Sequence, residues 1–317
     1  MDKVEVFYKF FEVENREAFS PDASVSIESF LRLIGAYNFD EQVVCQVENG
    51  GGKCGHFHNR GWVGVTKNGC EVLIGNVCAN KYFKADKAFA LEKRRVKNEI
   101  DFQHYSKVIN DCLFIKPKIE TELAELHNDV KQIRLFQWNM LAALPVNIAS
   151  FIQHAEKTKN RTVSIDIKYV EVDDDGKEHV SWVKQEVSKL KSAGFIDLNK
   201  IKGFYTSIND IRNVFNQIEL ASEHNLPKLK AWSGKLTGRV NLIKEVNETV
   251  NECSGFITIE NLNLLLLISS DDMDRKKVVD LINAYHGGCA NDFKAYIKNF
   301  ESKIKKSIGG REFRLSL

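Results

Sequence analysis

Apolar positions along the chain change their spacing from one region to the next, and each change predicts an element. Residues 4–11, VEVFYKFF, form an apolar segment. In SVSIESFLRLIGAY, at 24–37, Ile27, Phe30, Leu31 and Ile34 recur at helical spacing, so residues 1–44 are expected to make a small packing layer with a helix. GWVGV at 61–65 alternates like a short strand, TKNG supplies the Asn-Gly of tight hairpins, and CEVLI at 70–74 returns as a second strand. Gly75 and Asn76 are placed to end that strand and cap a helix whose first turn holds Cys78.

Helical periodicity then takes over. Over 84–115, Phe89, Val96, Ile100, Tyr105, Val108, Ile109 and Cys112 fall on one stripe of a long helix. Pro117 suits a fresh helix start, after which Ile119, Leu123, Leu126, Val130 and Ile133 alternate steps of four and three. The short link predicts an antiparallel pair, and about two heptads favour packing within a helical bundle over a dimeric coiled coil. Pro145 interrupts, a short helix runs over 148–160, and a polar break follows. Two β-type runs joined by an Asp-rich, Gly-containing turn predict a hairpin near 163–187, with further helices from 206 to the end.

With 43% hydrophobic residues, 317 residues can bury a substantial core, and two globular units are the natural expectation. A net charge of +2 gives no global case for nucleic acid or an anionic membrane, so any such case rests on local clusters. The acidic N-terminal stretch lacks the apolar core of an export signal, and the longest aliphatic run, LNLLLLI at 262–268, is too short to span a bilayer. A cytoplasmic location without membrane contact is the expectation. Cysteines stand at 45, 54, 70, 78, 112, 253 and 289, and the crowding of the first four reads as metal ligation rather than as a disulfide framework.

The candidate chemistry lies in VCQVENGGGKCGHFH, the hairpin after it, and GNVCANKYF. Glycine-rich knuckle, hairpin and helix start, in that order, resemble the treble-clef type of zinc module over about residues 45–84. The stretch is also similar to the zinc-ribbon-like pieces, ending in Gly-x-x-Cys-Ala, found in proteins of phages and mobile elements. The resemblance implies a structural Zn2+ held from both sides of the hairpin. Zinc prefers four thiolate or imidazole ligands, and a thiolate at a helix N-terminus is further favoured by the local positive potential. The ligand set read here is Cys45, Cys54, His58 and Cys78. It departs from the usual Cys-x-x-Cys knuckle, because eight residues separate Cys45 from Cys54; His56 and Cys70 are the substitutes. HFHN alone does not make a His-Asn-His nuclease, since the following helix has no histidine.

The fold class expected is therefore α+β, mainly helical: a small N-terminal treble-clef-like zinc domain (1–84), a long helical hairpin or connector (85–160), and a helical domain bearing the β-hairpin (161–317). Other polar clusters read as structure. Asp173, Asp174 and Asp175 are turn formers, and Asp271, Asp272 and Asp274 suit a helix cap. His286 and Cys289 lack a partner pair for a second metal site. Asp166 and Lys168 faintly resemble part of a restriction-type nuclease motif, without a convincing upstream acid.

Two runs depart from neutrality. Lys81, Lys84, Lys87, Lys93, Arg94, Arg95 and Lys97 stand against only Asp86 and Glu92. Lys228, Lys230, Lys235 and Arg239 surround Trp232 without an acid, a mixture suited to phosphates and to stacking on a base. They favour a non-enzymatic, zinc-stabilised protein that binds DNA or RNA. The competing expectation is an interaction factor, of phage host-takeover or defence type, whose zinc staples a domain that holds a protein partner. A nuclease ranks third, since no acid, base and nucleophile set emerges.

Overall fold

Strand-forming aromatic and β-branched residues between 30 and 75 build three strands of a four-stranded sheet, in place of the helix expected over part of 24–37. The computed structural model describes residues 3–50, 52–287 and 292–316. It divides into two units, Met1–Phe114 with Leu220–Gly234, and Ile115–Glu219 with Lys235–Leu317.

In the first unit the elements are β1 (Glu5–Phe7), α1 (Phe11–Glu14), β2 (Phe30–Val44), β3 (Phe57–Thr66), β4 (Glu71–Gly75), α2 (Asn76–Tyr82) and α3 (Lys87–Phe114). The sheet order is β1-β2-β3-β4, with β1 parallel to β2 and the other pairs antiparallel. The 24–37 reading fails because β2 is irregular. Its register against β3 shifts between Phe30 and Arg32, between Leu33 and Gly35, and between Asn38 and Val43. Each bulge resets the alternation of faces, so a strand mimics helical spacing. Ile27 and Leu31, two of the four residues of the presumed stripe, are exposed.

Two polar devices fasten this unit. Leu33 lies just before β1 begins to pair with β2 at Gly35, and side chains of α3 take up its main-chain groups. Glu92 accepts from Leu33 N–H at 3.0 Å and Arg95 donates to Leu33 C=O at 2.6 Å, while Arg95 and Glu92 pair with each other. Gln46, only 3% exposed, donates to the carbonyls of Ser20 (2.7 Å) and Ala23 (3.0 Å) and accepts from Leu73 N–H (2.7 Å). One amide thus ties the 20–23 segment and β4 to the chain just after Cys45.

The second unit begins with α4 (Lys116–Ala143), whose buried stripe is the expected Ile119, Leu123, Leu126, Val130 and Ile133, continued by Gln137 and Met140. Then come α5 (Val146–Thr158), β5 (Thr162–Val172), β6 (Glu178–Lys189), a 3-10 turn at Gly194–Ile196, α6 (Leu198–Leu220), α7 (Leu226–Phe256), α8 (Ile259–Leu265), α9 (Asp272–His286), α10 (Phe293–Ser307) and β7 (Phe313–Leu315). Residues 226–234 of α7 count with the first unit. β5 and β6 form the predicted hairpin, and β7, which sequence periodicity misses, joins the other edge of β5. Asp173 receives the N–H groups of Asp175 and Lys177, so the acidic tip is a turn; Asp271 caps α9 by accepting from Met273 and Asp274 N–H. The fold is α+β and mainly helical. Among the described residues, no helix is long and apolar enough to cross a membrane. Cys289 lies outside the described residues, and His286 contacts the Ile257 carbonyl at 2.7 Å.

Replacing Gln46 by Ala strands the Leu73 N–H in the interior. The expected loss is about 2–4 kcal/mol, since a buried polar group left without a partner costs on the order of 1–3 kcal/mol and several bonds go at once. Denaturant unfolding of Gln46→Ala beside the parent chain measures it; an unchanged midpoint would remove Gln46 from this role.

Candidate metal centre

The eight residues between Cys45 and Cys54 are folded by backbone pairing into a small hairpin. Cys45 N–H donates to His56 C=O (2.9 Å), Cys54 N–H to Val47 C=O (2.7 Å), and Asn49 N–H to Gly52 C=O (2.8 Å) at the tip. Gly50 and Gly55 take φ of +58° and +69°, values that favour glycine. The spacing that breaks the Cys-x-x-Cys pattern is therefore closed by main-chain bonds, which carry the two thiols to the same end of the loop.

The third thiol arrives on a helix. Gly61 of β3 pairs with Gly75 of β4 in register, and α2 starts immediately afterwards. Gly75 is the N-cap residue, without a side-chain cap bond, so Asn76 opens the helix instead of capping it. Cys78 follows in its first turn. Among the described residues, the ligand atoms of Cys45, Cys54 and Cys78 all lie within 4.8 Å of one another, and this group can hold a metal ion. The sulfurs of Cys54 and Cys78 are 3.2 Å apart, and all three residues are free thiols. Cys45 and Cys78 are buried, and Cys54 is half-buried.

Electrostatics sort the three sulfurs. Burial pushes the Cys54 thiol up, yet the side chain and N–H of His56, whose Nδ1 is 3.0 Å from Sγ, outweigh it and bring Cys54 down to about 7. Cys78 is driven well above the ordinary thiol range, by burial first and then by its neighbours Cys54 and Cys45. Without a cation the cluster accommodates one negative sulfur far more readily than two or three. A metal ion reverses that preference, because ligand thiols are deprotonated on binding.

A second imidazole packs against Gly75, three residues before Cys78. Burial lowers the pKa of His58, on β3, and so favours its neutral ring. Its Nδ1 is 2.9 Å from the Tyr37 hydroxyl, while Nε2 is buried with no hydrogen-bond partner among the described residues. Space for the Tyr37–His58 pair comes from the two paired glycines. A Cβ on Gly61 would lie 2.4 Å from the Tyr37 hydroxyl, and one on Gly75 would lie 2.6 Å from His58 Cδ2. Tyr37 is itself pushed far up in pKa by burial and by the charges of Cys45 and Cys78. Neither His56 nor His58 belongs to the group lying within 4.8 Å of one another. Cys70 precedes β4 at its far end, five residues from Gly75, about 17 Å at strand rise, and is removed as a substitute ligand. Tyr37, Gln46 and the Gly61–Gly75 pair escaped the sequence reading; only the Gly75 strand end gave a local signal.

The basic runs fare unequally. Lys81, Lys84, Lys87, Arg94 and Lys97 are exposed, and none forms an ion pair with a described residue. Arg95 is committed to Leu33 and Glu92, and Lys93 bonds Asn80 at 3.1 Å with its ammonium 5.7 Å from the Trp62 ring centre. In the second run, Lys228 and Lys230 are exposed, whereas Trp232, expected to stack on a base, is buried at 6% exposure. Lys235 pairs with Asp210 (3.0 Å) and Arg239 with Glu122 (3.2 Å). Asp166 and Lys168 are likewise engaged, with Arg314 and Ser316, and with Glu312.

The chain matches no protein-family model, no curated protein and no solved structure.

Cys54→Ser and Cys78→Ser each remove one of the three sulfurs. Each variant, purified and assayed for bound metal, is expected to hold well under half the parent's content and to lose cooperative unfolding of the first unit. A Cys54→Ser protein that is metal-replete and melts like the parent would break the assignment.

Proposed function

We propose that the protein is a non-enzymatic nucleic-acid-binding protein whose first unit is stapled by a structural Zn2+. The cysteine cluster carries the metal half of this reading. Three sulfurs and one half-buried imidazole whose Nε2 is shielded form a donor set suited to zinc in a closed, four-ligand structural site. His58 is the fourth donor, with Tyr37 behind it: Nδ1 directed at the tyrosine hydroxyl leaves the Nε2 lone pair for the ion, the usual arrangement for a metal-bound histidine. Zinc supplies folding free energy here, in a small sheet where a loop, a hairpin and a helix start must be held together.

The nucleic-acid half rests on one observation. Lys81, Lys84, Lys87, Arg94 and Lys97 lead away from α2 and along α3, exposed and without ion pairs among the described residues. Lys87 and Arg94 are seven residues apart and share a helix face, so they can meet successive phosphates. With Trp232 buried, this run bears the reading without help from residues 228–239.

The second reading, a protein-interaction factor, is favoured by β6. That edge strand is exposed along most of its 12 residues and carries Val180, Trp182 and Val183 at the surface, a form suited to strand addition.

For the ligand, His58→Ala is expected to lower zinc affinity by at least about a hundredfold, Tyr37→Phe by about 10–100-fold as for other supporting residues, and His56→Ala little. Competition with a chromophoric chelator reads all three; a larger loss in His56→Ala than in His58→Ala would exchange the two histidines. For the partner, the Lys87→Ala/Arg94→Ala/Lys97→Ala variant is expected to weaken duplex binding and reduce the slope of log K against log salt by about 0.9 per lost phosphate contact. An unchanged slope would remove the face, and salt-resistant capture of a single protein would favour the second reading.

A further inference from the structure

Between α10 and β7 in the second unit lies an open cleft of about 610 Å³, within the ~300–1,000 Å³ range of small-molecule sites. Its lining is charged in one direction: Arg275, Lys298, Lys305 and Arg314 face it, against the carboxylates of Glu301 and Glu312. Both carboxylates are already engaged, Glu301 by Arg275 at 2.6 Å and Glu312 by Lys168 at 3.0 Å. Lys298, Ser302 and Lys305 stand at positions i, i+4 and i+7 of α10, and so project from one face along the cleft. Neither lysine forms an ion pair among the described residues.

Arg275 sets this cleft apart from a run of surface lysines. Its residue exposure is 8%, and its Nε is buried with no hydrogen-bond partner among the described residues. A guanidinium nitrogen left without an acceptor in the interior is costly, and guanidinium recognises phosphate and carboxylate through its fixed fork of donors. Phe313 and Leu315 of β7 pair with the buried Ile167 and Ile165 and share their face of the sheet, whereas Arg314 pairs with Asp166 on the other face, where the Trp182 ring from β6 lies under its guanidinium, 4.6 Å from centroid to Cζ.

We propose that this cleft binds a small organic phosphate of nucleotide type, its phosphate held by Arg275, Lys298 and Lys305 and its planar ring lying against Trp182. The site is separate in its residues from the basic run of α2 and α3 and stands whether or not that run binds nucleic acid. The phosphate arrives either on a free nucleotide or on the 5′ end of a nucleic-acid strand.

Intrinsic fluorescence of the full chain, titrated with adenosine 5′-monophosphate, inorganic phosphate and adenosine, tests the proposal. Saturable quenching is expected with the monophosphate, weaker binding with phosphate, and none with adenosine over the same range. The Trp182→Phe variant should lose most of the signal. Lys298→Ala/Lys305→Ala, changed only at exposed positions, should weaken binding at least about tenfold, given the worth of charged hydrogen bonds. Lys87→Ala/Arg94→Ala/Lys97→Ala should bind the monophosphate as the parent does. A 5′-phosphorylated oligonucleotide that displaces the monophosphate identifies strand ends as the source, and failure to displace it identifies free nucleotide. The proposal falls if no ligand quenches saturably, if adenosine binds as tightly as its monophosphate, or if the double lysine variant binds unchanged.

Discussion

Sulfur crowding governs the first unit. Two thiols 3.2 Å apart, with a third inside 4.8 Å and two of the three buried, cannot all ionise unaided. Two unit charges 4 Å apart repel by about 4 kcal/mol even at an effective dielectric constant of 20, and a third multiplies the interaction. Either protons or a cation must sit among them. Protons would leave three weak donors and acceptors in a buried spot, whereas a divalent ion converts the same crowding into bonding. The opposed tendencies of Cys54 and Cys78 express this: the first sulfur to lose its proton makes the next loss harder.

That constraint explains features that would otherwise look incidental. The Cys45–Cys54 loop is narrow because its thiols must emerge side by side, and Gln46 anchors its entry to β4 through Leu73. The glycine pair of β3 and β4 leaves room for Tyr37 and His58 where larger residues would collide with the tyrosine hydroxyl or the imidazole. Gly75 then serves twice, as the space beside His58 and as the N-cap residue that starts the helix bearing Cys78. α3 holds β2 at Leu33 through Glu92 and Arg95, so Arg95, one cation of the basic run, belongs to the architecture.

Sequence legibility followed the range of the interactions that decide each element. The 163–187 hairpin and the stripe of α4 were plain, because alternation and heptad spacing are local and the one register shift between β5 and β6 lies at the base of the hairpin, where Val163 and Ser164 face Ser188 and Glu186. β2 was obscured by its three register shifts, and β7 was invisible because three residues pair with β5 about 150 positions earlier in the chain. The cysteines could be picked by chemistry and crowding. Tyr37 and Gln46 could not, since their partners, His58 and Leu73, lie more than 20 residues away. The Trp232 segment misled for the same reason: two of its four cations, Lys235 and Arg239, are paired with Asp210 and Glu122, from helices distant in sequence.

The surviving cations fall into two physical kinds, and the difference bears on what each can recognise. Those of α2 and α3 are exposed, so salt screens them and they select for dense charge rather than for shape. Those lining the α10–β7 cleft include a guanidinium 8% exposed, shielded from solvent and fixed by Glu301. A buried, oriented donor discriminates between ligands by geometry, because a misplaced acceptor leaves it unsatisfied. Unspecific, salt-sensitive attraction would thus fall to the first kind, and selection among small anions to the second.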